Sequence, residues 1–141
     1  MHGILGEDGR IQSLLEWLDI PYVGSGPNAS SLCLDKDTCK RMAASFGWET
    51  IPSVSIRVDE IDAGVHPAFL ADVIARFGPS CVVKPVDCGS SIGVSIANSV
   101  DSLLLAIGKA RRATRTAVLV EEFVHSMDVD CLLYTSDAAD E

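Results

Sequence analysis

The sequence predicts an α/β fold in which short apolar strands alternate with amphipathic helices. Leucine and isoleucine recur at helical spacing in residues 9–18, and residues 67–77 lie between a proline and a glycine that suit the two ends of a helix. Valine-rich runs at residues 81–84 and 117–123 are typical of buried strands. The 141 residues contain no internal repeat. This alternation indicates an α/β fold.

The first predicted helix covers residues 9–18, where the apolar side chains fall on one face. It ends before Pro21, and residues 22–23 are predicted to form a short buried strand. The glycine-rich residues 24–27 then break the chain, which indicates a linker out of the first structural unit.

Two short helices are predicted after this linker. Asn28 can cap the first, which runs to Leu34, and Asp35 can cap the second, because these side chains accept hydrogen bonds from the free N–H groups at a helix start. The second helix runs to Ala44 and is followed by Gly47, since glycine readily adopts the left-handed conformation found after helices.

The next part of the chain is predicted to alternate strands with a helix. Strands are expected at residues 54–58 and 81–84, on either side of the helix over residues 67–77. A further strand is expected at residues 92–96, after a glycine-containing turn.

The last predicted helix covers residues 99–113, with Ser99 or Asp101 as its cap. Three residues are expected on its buried face: Leu103, Leu104 and Ile107. A strand over residues 117–123 follows, and Asp128 is expected to begin another.

The composition predicts a cytoplasmic protein with no nucleic-acid and no membrane partner. The formal net charge is −9, whereas nucleic-acid interfaces need clustered lysine and arginine. No segment approaches the roughly 18–20 apolar residues that cross a bilayer. Residues 1–3 lack the basic and apolar regions of a signal peptide.

The cysteines and histidines do not form a metal-binding pattern. No two cysteines have C-x-x-C spacing and the histidines are scattered, so we expect free, reduced thiols and no zinc site. These residues are Cys33, Cys39, Cys81, Cys88, Cys131, His2, His66 and His125.

One segment has the composition of a phosphate-binding loop. Lys84 ends an apolar strand, and the turn Gly89-Ser90-Ser91 follows shortly after. Backbone N–H groups and hydroxyls in such a turn can bind an anion, and glycine allows a close approach. The segment is not a Walker loop, because GxxxxGK[ST] does not occur. Taken alone, it is explained better by an ordinary hairpin turn beside a surface lysine.

Six motifs occur together in a specific order and spacing. They are HGxxGEDGxxQ at residues 2–12, IPYVGSG at 20–26, Asp-Lys at 35–36, VVKP at 82–85, GSSIGV at 89–94 and VLVEEF at 118–123. As a set they resemble the D-alanine–D-alanine ligases of the ATP-grasp superfamily, over about residues 2–130. The resemblance implies a partial ATP-grasp architecture, with the end of the N-terminal domain, the small central domain and the start of the C-terminal lobe.

The resemblance also implies domain boundaries. Residues 1–27 would be the C-terminal part of the N-terminal ligase domain, residues 28–116 the linker helices and central ATP-grasp subdomain, and residues 117–130 the start of the C-terminal lobe. Residues 131–141 do not resemble the family and match the translation of a common transposase sequencing adapter. We expect an assembly artefact there; the alternative is a divergent natural tail.

The resemblance implies that Lys36 and Lys84 hold the phosphates of ATP, where they offset charge during phosphoryl transfer. The loop at residues 89–91 would close over the phosphates, and Ser90 would also contact substrate. Lys40 is expected to be a lysine on the helix surface.

Other positions would contact the nucleoside and the substrate. Three residues match the hinge strand that contacts the adenine: Glu121, Glu122 and Phe123. Asp128 stands where the family usually has a glutamate that binds the ribose hydroxyls, and it is one methylene shorter. His2 matches a histidine near D-alanine and is, with Ser90, a candidate for a direct role in catalysis. Glu7 and Asp8 would fix their own loop.

The implied reaction joins two D-alanines for peptidoglycan precursors through an acyl phosphate, with ATP and Mg²⁺ as cofactors. The magnesium ligands are expected downstream of Val120, outside this chain, and the parent enzyme is expected to be a homodimer. Two alternatives remain at this point: a D-alanine–D-lactate ligase fragment, and a non-catalytic fragment without independent activity.

Overall fold

A four-stranded antiparallel sheet organises residues 5–126, the part of the chain that the computed structural model describes. The strands are β1 (Ser53–Arg57), β2 (Cys81–Pro85), β3 (Ser95–Ala97) and β4 (Ala117–Glu122). Their order in the sheet is β1-β4-β2-β3, so the last strand in the sequence lies between β1 and β2. The predicted α/β class is confirmed.

Six helices accompany the sheet within the described residues. They are α1 (Arg10–Trp17), α2 (Pro27–Leu34), α3 (Lys36–Ser45), α4 (Val58–Asp62), α5 (Pro67–Phe77) and α6 (Val100–Arg111). None of the helices in this part of the chain is long and apolar enough to cross a membrane. The five predicted helices are found, and the short helix α4 was not predicted. It starts where the Glu60 carboxylate accepts a hydrogen bond from the Arg57 N–H, at 2.8 Å.

Two helix caps agree with the sequence prediction and one differs. Asp35 Oδ1 accepts a hydrogen bond from the Thr38 N–H at 2.8 Å, and Ser99 caps α6 through the Ser102 N–H. The cap of α2 is Gly26 rather than Asn28, because the helix begins at Pro27, two residues before the start that a cap at Asn28 would give. Proline suits this first position since its missing N–H would have no partner inside the helix.

The prediction of a strand at residues 22–23 was wrong. The side chain of Val23 is 86% exposed, and the Tyr22 hydroxyl donates a hydrogen bond to Glu16 Oε1 at 2.9 Å. A strand needs a neighbouring strand to satisfy its backbone groups, and this segment pairs with none of β1 to β4. A two-residue apolar run is therefore no evidence of a strand by itself.

One face of the sheet packs against α5 and α6 and forms the apolar core. Its strand residues include Val83, Val118 and Val120, all completely buried. Leu103 and Ile107 of α6 pack against them. The helices contribute further buried residues: Leu70, Val73, Ala106 and Ala110. Leu104 was predicted to join this face but is 40% exposed, because Ala106 and Ala110 complete the buried stripe of α6 instead.

The opposite face of the sheet lies under α3 and carries charged and polar side chains beside the fully buried Leu119. Val82 pairs with Glu121 and Lys84 with Leu119, so these four side chains share one face. Ser55 of β1 is on the same face, and its hydroxyl lies 3.4 Å from Asp37 of α3. Since β4 belongs to the same sheet as β1 to β3, the domain boundary proposed before residue 117 stays a prediction about the larger architecture.

Candidate functional site

A cluster of lysines lies on the polar face of the sheet. Lys84 comes from β2, and Lys36 and Lys40 come from the first turns of α3. Residues four apart lie on the same side of a helix, so both α3 lysines face the sheet. Strand and helix together therefore bring three ammonium groups to one region.

Glu121 of β4 is the acidic partner of this cluster. Its Oε1 accepts a hydrogen bond from Lys40 Nζ at 2.5 Å, and its Oε2 forms an ion pair with Lys84. The Glu121 side chain is only 5% exposed, against 17% for Lys40 and 23% for Lys84. A carboxylate at this depth is unfavourable unless it is paired, and the two lysines supply that pairing.

Lys36 joins the start of α3 to the loop that follows β2. Its Nζ donates hydrogen bonds to the carbonyl oxygens of Val86 at 3.3 Å and Cys88 at 2.5 Å. Its backbone N–H donates to the Val86 carbonyl at 3.0 Å. Burial, and then the nearby charge of Lys84, lower the pKa of Lys36 from its ordinary value of 10.5. An anion placed between these two lysines would relieve that repulsion.

The loop after β2 is anchored at its start and has two strained residues further along. Asp87 accepts a hydrogen bond from the Thr116 hydroxyl at 3.1 Å, and the Cys88 thiol donates to the Ala113 carbonyl at 3.0 Å. Between these anchors and β3, Ser90 and Ser91 both have left-handed backbones, with φ of 52° and 57°. Each such residue costs on the order of 1–3 kcal/mol, and strain of this kind is common at ligand-binding loops.

Gly93 allows the loop to return to the sheet. Its φ is +75°, and a Cβ at this position would lie 2.7 Å from Pro85 Cγ. The turn also explains why the predicted strand over residues 92–96 begins only at Ser95. The N–H groups of Ile92 and Val94 bond to the carbonyls of Gly89 and Ser91, and are not part of the ladder.

An open cleft of about 760 Å³ joins these groups. Its walls include Lys36, Lys84 and the loop at residues 89–91 on one side. On the other side it is lined by the segment around Glu7 and Gln12. The Gln12 amide donates a hydrogen bond to the Gly6 carbonyl at 2.8 Å and so fixes this segment. Lysine ammonium groups, hydroxyls and a glycine-bearing turn are suited to a polyanion such as a chain of phosphates.

The cleft does not contain a metal centre built from its own side chains. Within residues 5–126, no group of three or more histidine, cysteine, aspartate or glutamate residues could hold a metal ion. Cys33, Cys39, Cys81 and Cys88 are free thiols. Burial raises the pKa of Cys88, and the neighbouring Asp87 raises it further, so this thiol in the cleft wall is poorly nucleophilic.

Comparison with known families decides where the chain belongs. Residues 42–140 match the family model described as "D-ala D-ala ligase C-terminus", which is well over half of the chain. The match extends over most of residues 131–141, so the artefact expected there stays a prediction. The chain belongs to the D-alanine–D-alanine ligase family. A curated relative, the D-alanine–D-alanine ligase of Desulfotalea psychrophila, is 35% identical and is aligned with 97% of this chain.

Solved structures agree with this family and with the ATP-grasp fold. D-alanyl-alanine synthetase A from Vibrio cholerae superposes with a TM-score of 0.75 and 32% identity over 88% of this chain. The VanG D-Ala:D-Ser ligase from Enterococcus faecalis gives a TM-score of 0.75 and 31% identity over 88% of this chain. The chain spans 41% of the Desulfotalea protein, 36% of the Vibrio chain and 34% of the Enterococcus chain.

The structure brings together most of the site residues predicted from the family motifs. Lys36, Lys84, Gly89, Ser90 and Ser91 all line the one cleft. These residues come from α3, β2 and the following loop, so their proximity depends on the fold and not on local sequence. Their roles towards a ligand stay predictions.

The residues predicted to bind adenine lie at the end of β4 and directly after it. Glu121 points its carboxylate at Lys40 and Lys84, as described above. The Glu122 N–H donates to the Pro52 carbonyl at 3.1 Å, which continues the pairing with the segment before β1. The Phe123 ring packs edge-on against His125, with ring centroids 4.8 Å apart. His2, Asp128, Cys131 and the proposed artefact at residues 131–141 lie outside the described residues.

The prediction that Lys40 lies on the helix surface was wrong. Its side chain is 17% exposed and reaches Glu121 across 81 residues of sequence. The signal was present in the sequence, because Lys40 follows Lys36 by four positions and shares its side of the helix.

Sequence reasoning also missed how closely Glu7 approaches the loop. A Cβ on Gly89 would lie 3.1 Å from Glu7 Oε2, so glycine leaves room for this carboxylate. Glu7 therefore borders the cleft as well as its own loop.

Proposed function

We propose that this chain carries the phosphate-binding part of an ATP-dependent D-alanine–D-alanine ligase that serves peptidoglycan synthesis. The observation that carries the proposal is the convergence of Lys36, Lys84 and the loop at residues 89–91 on one cleft. The family membership supports the same activity, because the curated relatives are named D-alanine–D-alanine ligases.

The charges of the site fit the triphosphate of ATP. Lys36 and Lys84 present two ammonium groups, and burial and then the charge of Lys84 lower the pKa of Lys36, although Asp87 and Asp35 partly offset this. A phosphate chain between them would be attracted by both ammonium groups. Residues 121–123, at the end of β4, are proposed to contact the adenine, and Asp128 the ribose.

In the proposed reaction, a carboxylate oxygen of the first D-alanine attacks the terminal phosphorus of ATP and displaces ADP. The amine of the second D-alanine then attacks the carbonyl carbon of the acyl phosphate, and phosphate leaves as the amide bond forms. Lys36 and Lys84 would offset charge on the transferred phosphoryl group, and Ser90 and His2 would lie beside the substrate. Positioning and electrostatics therefore supply the catalysis, with no covalent enzyme intermediate.

Three further properties are proposed from the family resemblance. Magnesium would add positive charge on the phosphates when bound, with ligands supplied from beyond the described residues. The complete enzyme would act as a cytoplasmic homodimer. Size-exclusion chromatography with light scattering measures the dimer, and metal dependence of the rate measures the role of magnesium.

The second substrate is proposed to be D-alanine. The curated relatives carry D-alanine–D-alanine ligase names, which favours this amino acid over the D-lactate alternative. One solved neighbour is titled a D-Ala:D-Ser ligase at nearly the same identity, so D-serine is included in the test as a competing amine.

The test uses a chimeric ligase, in which residues 2–130 of this chain replace the matching segment of the Vibrio cholerae synthetase. We expect phosphate release that depends on D-alanine, and a D-alanyl-D-alanine product, identified by its mass, that predominates when D-serine is added as a competing amine. The 141-residue chain alone is expected to be inactive, because it spans 34–41% of its relatives and half of the reaction cleft would be missing. A folded chimera that ignores D-alanine, or ligation by the 141-residue chain alone, would contradict the proposal.

A further inference from the structure

Lys40 and Glu121 form a buried ion pair that the proposed phosphate contacts do not explain. Lys40 Nζ lies 2.5 Å from Glu121 Oε1, and the two side chains are 17% and 5% exposed. A long lysine side chain held in one conformation loses rotamer freedom, and both charges lose hydration. A buried pair of this kind is weak as a source of stability, so it calls for another explanation.

Glu121 and the nucleotide phosphate would compete for Lys84. Glu121 Oε2 is paired with Lys84, which is also the proposed phosphate contact on β2. An ammonium that neutralises a buried carboxylate attracts a phosphate less strongly, because the two anions compete for the same charge. If Lys84 turns towards a phosphate, the buried Glu121 carboxylate stays paired only when another cation remains beside it.

We propose that Lys40 is a positioning residue that neutralises Glu121, so that Lys84 is released to bind the nucleotide phosphate. This inference rests on the proposed function and deepens it, since it assigns a role to a residue outside the family motifs discussed above. Lys40 acts through Glu121 and has no contact of its own with the phosphate. Glu121 in turn holds Lys84 in place before the nucleotide arrives.

The charge balance of the trio supports this role. Lys40, Lys84 and Glu121 together carry one net positive charge, which is available to an anion in the cleft. Without Lys40 the remaining pair is neutral, and binding a phosphate to Lys84 would leave a buried carboxylate unpaired. Leaving one member of a buried pair without its partner is strongly unfavourable.

The experiment compares variants of the chimeric ligase by their dissociation constant for Mg-ATP and their steady-state rates. Lys40→Met is expected to weaken ATP binding by about 10- to 100-fold, with a lower kcat because Lys84 is held by Glu121. Lys40→Arg, which keeps the charge, is expected to restore most of the affinity. Arg41→Met is the matched control, since Arg41 is next in sequence but its side chain is 75% exposed and pairs with Asp37.

The decisive variant is the double substitution Lys40→Met with Glu121→Gln. Glutamine needs no counter-ion, so the double variant is expected to bind ATP at least about tenfold more tightly than Lys40→Met alone. A purely structural role of Lys40 would lower the melting temperature and leave the affinity of the folded protein unchanged. Equal affinity of Lys40→Met and the unsubstituted chimera would overturn the proposal. Because Glu121 is also a proposed adenine contact, the double variant is measured against Glu121→Gln, and a tenfold or larger loss on adding Lys40→Met in that background would overturn the proposal as well.

Two further outcomes separate this inference from the proposed function. If Lys84→Met weakens ATP binding and Lys40→Met does not, the proposed function stands and the role of Lys40 fails. If neither substitution changes ATP binding, the phosphate site itself is wrongly placed. Should Lys40→Met fail to fold, Glu121→Gln is compared with the double variant: the proposal expects equal affinities, and a loss on removing Lys40 in that background contradicts it.

Discussion

The two faces of strands β2 and β4 have opposite chemistry although their residues alternate along the same backbone. Val83, Val118 and Val120 are completely buried against α5 and α6. On the other face, Lys84 and Glu121 form part of a charged cluster under α3. Neighbouring residues in a strand point to opposite faces, so Val83 packs in the core and Lys84 faces the cleft.

This difference shows how the fold separates stability from ligand binding. The apolar face contributes through the removal of hydrocarbon from water, at about 25 cal/mol per Å². The ion pairs of the charged face contribute little to stability, because burying them costs about as much as their attraction returns. Substitutions on the two faces should therefore change different measured quantities, even at adjacent positions.

The largest effect is expected for Lys84→Met in the chimeric ligase. Removing a fixed positive charge from a developing phosphoryl anion should lower kcat/KM by about 10²- to 10³-fold. Circular dichroism should show a folded protein, since no apolar contact of the core is lost. A Lys84→Met enzyme with the unsubstituted rate and ATP affinity would show that the charged face is not the phosphate site.

A smaller effect is expected for Gly93→Ala, at the point where the loop returns to β3. The positive φ costs about 1–2 kcal/mol for alanine, and contact of the new methyl with Pro85 Cγ adds about 1 kcal/mol or more. Gly47→Ala is the control, because it has a φ of +79° and no atom within 4 Å of the new Cβ. Urea unfolding measures the free energy of unfolding of both variants. Equal losses of stability in the two variants would mean that a small shift of the backbone relieves the contact with Pro85.

Val83→Ala is expected to lower the free energy of unfolding by about 2 kcal/mol, through lost burial and a small cavity. Because Val83 points away from the cleft, the ATP dissociation constant of the folded chimera should stay within about twofold of the unsubstituted value. Comparing Val83→Ala with Lys84→Met tests the two faces at adjacent positions. A large change in ATP affinity for Val83→Ala would show that the faces are coupled.

The smallest effect concerns the pH dependence of Lys36. Burial and the charge of Lys84 lower the pKa of Lys36 below 10.5, so its ammonium deprotonates earlier than an ordinary lysine as the pH rises. ATP affinity should therefore fall as the pH rises through this lowered pKa, by about fivefold, or about 1 kcal/mol. Lys36→Arg keeps its charge and should not show this fall. If the ATP affinities of the unsubstituted chimera and of Lys36→Arg change with pH in the same way, Lys36 is not the titrating phosphate contact.

The pH effect on stability has the opposite sign. Between the lowered pKa of Lys36 and 10.5, the unfolded chain binds this proton more tightly than the folded chain. The contribution of Lys36 to the free energy of unfolding therefore rises with pH across that interval.

Local rules predicted the elements whose ends carry their own signals. The helix α5 was predicted at its observed bounds, because Pro67 and Gly78 mark its two ends. Residues 22–23 were misassigned, since an isolated strand cannot be recognised without knowledge of its pairing partner. The strand order is likewise not encoded locally, because β1 and β4 are separated by almost 60 residues.

The site was predicted in its composition but not in its geometry. The motifs identified Lys36, Lys84 and the serines of the loop, which the fold does bring to one cleft. The ion pair between Lys40 and Glu121 could not be predicted, because it depends on how α3 lies across β4. Only helical spacing placed Lys40 on the same side as Lys36, and that signal was outweighed by the usual exposure of lysine.

The position of β4 has a consequence for how the protein is made. Since β4 separates β1 from β2, the sheet stays open in the middle until the ribosome has produced residues 117–122. At about 5–20 residues per second, β1 waits roughly 3–12 s for its partner after it is synthesised. During that interval both of its hydrogen-bonding edges are available for pairing with other chains, which is the condition for edge-to-edge aggregation.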